Sequence, residues 1–90
     1  MLVMVIERFR HGAAPVFARA RERGRQIPDG LRYIDSWVDA AGMERCWQLM
    51  ECDDPALLDA WASAWADLVD FEFVPVTGSR EAAARAMGDA

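Results

Sequence analysis

Ninety residues leave room for one domain, expected here to span 1–90. A chain this short buries only roughly 60–65% of its unfolded surface, so self-association is a natural supplement. The net charge of −5, with Arg as the only base, argues against a nucleic-acid binder. Seven Arg stand against three acids in residues 1–32, and three against twelve in residues 33–90. The cluster Arg19, Arg21, Arg23 and Arg25 reads as a solvated helix face. No stretch approaches the ~18–20 apolar residues of a membrane span. The opening MLVMVI is short for a signal-peptide core and has no basic lead-in. A cytoplasmic protein is expected, with no membrane and no nucleic-acid partner.

Residues 2–9, LVMVIERF, are β-branched and apolar, which predicts a central strand buried on both faces. His11-Gly12 ends it. Pro15 is expected as the first residue of a helix, and Val16, Phe17, Ala20 and Gly24 recur at helical spacing to about Arg25. Pro28-Asp29-Gly30 is a turn, with Pro fixing φ and Gly permitting positive φ.

Residues 31–52 read as a hairpin folded about Ala41-Gly42. A two-residue turn there sets Trp37 opposite Cys46, Asp35 opposite Gln48 and Tyr33 opposite Met50. The other face pairs Ile34 with Leu49, Ser36 with Trp47 and Val38 with Arg45. Side chains alternate along a strand, so each set forms one face. The apolar set, with Trp47 and Leu49, is expected to take the helices. The set holding Trp37 and Gln48 is expected to point away from them. Cys46 and Cys52 stand about 20 Å apart on one strand, beyond disulfide reach, so both are expected as free thiols.

Asp53-Asp54-Pro55 marks a helix start, with Asp54 as cap. Leu57 or Leu58, Trp61, Trp65 and Leu68 form its apolar stripe, which reads as core. Residues 70–76, DFEFVPV, are a fourth strand, and Pro75 sends it to an edge. Gly78-Ser79 opens a short Ala-rich helix or tail over about 79–90.

The order β-α-β-β-α-β predicts an α+β, ferredoxin-like sandwich with both helices on one face of a four-strand sheet. Within one chain nothing covers the second face. That order, the length and the half-aromatic open face resemble the dimeric α/β barrel superfamily. Its members pair two ferredoxin-like sheets face to face around a central cavity. They include antibiotic-biosynthesis monooxygenases, muconolactone isomerases, heme-degrading monooxygenases and stress-responsive barrel proteins. The blocks PDGLRYIDSWV, CWQLMECDDPALL and DLVDFEFVPV are similar to a family of short bacterial proteins known only as a domain of unknown function. The resemblance implies the fold and a homodimer formed through the open sheet face. It implies no activity. The heme-degrading members use a helix His as iron ligand, whereas the single His here, His11, follows the first strand.

No spacing of His, Cys, Asp and Glu marks a metal site, and no nucleophile motif or phosphate loop is present, so no cofactor is expected. The candidate ligand pocket is the mixed face: Arg8, Tyr33, Asp35, Trp37, Gln48, Met50 and Glu72. The first strand's parity is unreadable from its apolar run, so Glu7 replaces Arg8 if the strand faces the other way. Carboxylates beside an Arg serve proton abstraction or a paired polar interface equally well. Two functions stand. One is a dimeric module binding a small organic molecule between the sheets. The other is a cofactor-independent monooxygenase or isomerase acting on a small aromatic or polyketide-like substrate. An enzyme predicts an open cavity with a carboxylate of raised pKa; a module predicts a filled interface with every polar group paired.

Overall fold

The computed structural model describes residues 1–88; the last two residues of the expected tail lie outside the described residues. Seven elements follow in order: β1 (Leu2–Phe9), α1 (Ala13–Arg23), β2 (Leu31–Val38), β3 (Arg45–Cys52), α2 (Ala56–Ser63), β4 (Val69–Pro75) and α3 (Ser79–Ala86). The strands form one antiparallel sheet in the order β2-β3-β1-β4. This is the ferredoxin-like α+β arrangement, with β1 central and β4, which carries Pro75, at an edge.

The core lies between the sheet and α1 and α2. Val3, Val5 and Phe9 of β1 pack with Cys46, Met50 and Cys52 of β3, Val16 of α1, and Leu58, Trp61 and Trp65. The expected α2 stripe is therefore core. Pro55 takes the N-cap position, and the Asp54 carboxylate before it accepts from the Ala56 N–H at 2.9 Å. Helix α2 ends at Ser63, and turns carry Trp65 and Leu68 into β4. The Pro28-Asp29-Gly30 turn forms as read, with the Leu31 N–H bonded to the Pro28 carbonyl and Gly30 at φ 89°.

The hairpin departs from the two-residue turn. Residues 39–44 form a longer loop organised by Asp39, whose carboxylate accepts from the N–H groups of Ala41 and Gly42. Met43 closes it with φ 53°. Trp37 consequently pairs with Trp47, Ser36 with Gln48 and Val38 with Cys46. Between Tyr33 and Asp35 the register shifts at Ile34, and beyond that bulge Tyr33 pairs with Met50. The expected register thus holds at the base of the hairpin and is one residue out at its tip.

The faces change with it. Gln48, Met50, Cys46 and Cys52 point toward the helices, while Trp47 and Leu49 take the open face with Trp37. Size complementarity explains the reversal. Trp61 and Trp65 of the helix layer bring bulk, and on β1 and β3 the sheet meets them with Val3, Val5, Cys46 and Cys52, while Phe71 of β4 packs edge-on against Trp61. Strand β1 is not buried on both faces: Val3, Val5, Glu7 and Phe9 are buried, whereas Leu2, Met4 and Ile6 are half-buried on the uncovered side. Among the described residues no helix is long and apolar enough to cross a membrane.

Candidate functional site

The bulge at Ile34 splits the expected pocket between the two faces. Tyr33, Gln48 and Met50 lie on the helix side, Met50 fully buried. Arg8, Asp35, Trp37 and Glu72 lie on the open face, where Glu72 pairs with Ile6 and Trp37 is 51% exposed. The β1 ambiguity resolves: Glu7 turns toward the helices and Arg8 away. The residues brought together on the helix side are Glu7, Gln48 and Tyr33, joined by Arg25, Ser36 and Cys46.

All of them but Tyr33 line a cleft of about 550 Å³ between the sheet and α1. One stripe of α1 and its end, Phe17, Ala20, Arg21 and Gly24, forms the roof at i, i+3, i+4 and i+7 spacing. Trp61 and Trp65 also line the cleft. Both indole N–H groups donate to the Arg25 carbonyl, at 3.0 and 3.2 Å, and so pin the chain just past α1 over the sheet. The Arg25 guanidinium then reaches back, stacked 3.7 Å from the Tyr33 ring centroid and donating to Gln48 Oε1 at 3.0 Å. Gln48 Nε2 donates in turn to Glu7 Oε2. Tyr33 and Ser36 share a hydroxyl hydrogen bond of 2.7 Å at the same wall.

Glu7 is 5% exposed. Burial raises its carboxyl to about 7, against the opposing pull of the Gln48 hydrogen bond and the Arg25 charge. Only one of its oxygens carries a hydrogen bond among the described residues. No fully buried side-chain oxygen or nitrogen lacks a partner there, so the second Glu7 oxygen keeps some exposure, and Glu7 lines the cleft. Burial and the neighbouring Glu7 push the Cys46 thiol up to about 12, leaving it protonated and a poor nucleophile. Cys46 and Cys52 are both buried free thiols. His11 is exposed in the turn after β1.

The Arg cluster divides. Arg19 grips Asp67 with two bonds of 2.7 and 2.6 Å and lies over Trp65, and its hydrogen bonds hold Asp67 down at about 2. Arg25 crosses the cleft and Arg21 lines it. The role of Arg25 was not legible in its spacing on a helix, because the chain leaves the helix at Arg23 and Gly24 redirects it. Glu7 was visible as the one acid in an apolar strand, and only its parity was missing.

The fold and the cleft define a small ferredoxin-like α+β protein with a buried carboxylate at the floor of a helix–sheet pocket. The chain belongs to the family described as Domain of unknown function (DUF3303), whose model matches residues 1–88. Comparisons with curated proteins and with solved structures give no match.

Proposed function

We propose that this protein is a homodimeric cytoplasmic module that binds a small organic molecule in the cleft between its sheet and α1. The observation that carries the reading is the free Glu7 oxygen: a buried carboxylate with one unoccupied acceptor, facing an open, mostly apolar space. Phe17, 46% exposed at the cleft, adds apolar surface that a ligand would cover. Chemical-shift mapping with a library of small aromatic fragments tests the site. Shifts are expected at the Gln48 side-chain amide and the Trp61 and Trp65 indole N–H groups. Fragments that move none of these signals refute the reading.

The same carboxylate favours a second reading as an isomerase-type, cofactor-independent enzyme. A Glu poised near 7 inside an apolar cleft is suited to take and return a proton on a small aromatic or polyketide-like substrate. The homodimer rests on the open face. Met4, Ile6, Trp47, Leu49 and Val74 are only half-buried there, beside the exposed Trp37. At ~25 cal/mol per Å² their burial against a second copy is worth several kcal/mol. The buried thiols suit a reducing compartment.

A further inference from the structure

The cleft has a buried carboxylate on its sheet floor and a cation on its helix roof within a largely apolar lining, and this polarity selects a class of ligand. Inside, the acceptor is the open oxygen of Glu7. On the roof, Arg21 is exposed and makes no ion pair or hydrogen bond among the described residues. Arg25, the other cation of the lining, is committed to Gln48 and the Tyr33 ring. The rest of the lining includes Phe17 and Ala20 of α1 and the indoles of Trp61 and Trp65. Resting on the reading of the cleft as a ligand site, we infer that it takes a flat, mainly aromatic acid entered hydroxyl-first. A phenolic or enolic O–H donates to Glu7, and a carboxylate at the opposite end meets Arg21.

Charge complementarity supports this orientation over its reverse. A ligand carboxylate turned inward would meet Glu7, a buried acid, at the cost of like-charge repulsion in low dielectric. Turned outward, it meets a cation in partial solvent. An inward hydroxyl satisfies the one acceptor that the protein leaves open, through a charge-assisted hydrogen bond whenever Glu7 is ionised. Gln48 holds that carboxylate in place, and Arg25 holds Gln48.

Four probes separate the parts: 4-hydroxybenzoate, benzoate, p-cresol and toluene, titrated at pH 8 and followed by the indole N–H signals of Trp61 and Trp65. 4-Hydroxybenzoate is expected to bind tightest. Arg21→Gln should weaken 4-hydroxybenzoate and benzoate roughly three- to tenfold and leave p-cresol unchanged. Glu7→Gln, which keeps the shape, should weaken 4-hydroxybenzoate and p-cresol roughly tenfold and leave benzoate unchanged. Toluene binding as tightly as 4-hydroxybenzoate, or losses unrelated to the group removed, overturns the inference while keeping the cleft as a ligand site. If none of the four moves either indole, in wild type or variants, both the inference and the ligand cleft fall.

Discussion

Replacing Glu7 by Gln should stabilise the protein at high pH and do little at low pH. Glu7 holds its proton more tightly in the folded chain, at about 7, than in the unfolded chain near 4.5. Each tenfold in proton affinity is about 1.4 kcal/mol, so the displacement amounts to about 3 kcal/mol. Between pH 4.5 and 7 the folded state binds more protons than the unfolded state, so its stability falls as pH rises through that window. Above 7 the whole cost of ionising a buried acid is present; below 4.5 it is absent. Gln imitates the protonated acid, and its amide oxygen can still accept from Gln48 Nε2, which now donates to Glu7. The gap in stability between variant and wild type should therefore widen by about 2–3 kcal/mol from pH 5 to pH 8. For a domain of this size that is roughly 10 °C or more in Tm. Urea and thermal melts of both proteins at the two pH values, at one fixed chain concentration, measure it. Taking the difference cancels the other titrating groups. A gap that stays constant with pH would show that Glu7 is hydrated in the folded protein, and the description of the cleft floor would fail.

Trp37→Glu or Trp47→Glu should split the proposed dimer. Sedimentation equilibrium at micromolar concentration reads the result, and a wild-type chain that sediments as a stable monomer sinks the dimer outright. Cys46 and Cys52 should react with a thiol reagent only after unfolding, giving two thiols per chain in denaturant without reductant; rapid labelling of the native protein would contradict their burial. Gly30→Ala should cost about 1–3 kcal/mol in urea denaturation, since φ is 89° and the new Cβ would stand 2.8 Å from Leu57 Cδ1. Gly24→Ala also has positive φ but meets nothing within 4 Å, so its loss should be the smaller of the two.

Element order, strand centrality and the Trp stripe of α2 were legible because each rests on a local rule: β-branched runs, Pro at an edge, apolar residues at helical spacing. The candidate site was legible only in part, and the cause can be located. Strict alternation carries a face assignment from one end of a strand to the other, and a single bulged residue cancels it. Ile34 is that residue. It puts Tyr33 on the helix side and Asp35 and Trp37 on the other, so a list built on one unbroken register necessarily mixed two surfaces. The loop tip compounded this, since Ala41-Gly42 resembles a tight turn while the Asp39 carboxylate organises a wider one.

Hydrophobicity misled for a separate reason. Trp47 and Leu49 are the bulkier residues of β3, yet they face outward, and Gln48 with two Cys and a Met faces the core. Burial rewards fit to the opposing layer and not bulk alone, and that layer already carries two indoles. The consequence reaches function. With Gln48 turned inward, it can stand between Arg25 and Glu7, passing the fixed position of one to the other through its two amide atoms. With Trp47 and Leu49 turned outward, the second face keeps the apolar surface that self-association needs. One reversal of β3 thus separates the two surfaces: a polar-floored cleft beneath α1, and an open sheet face that carries Met4, Ile6, Trp37, Trp47 and Leu49.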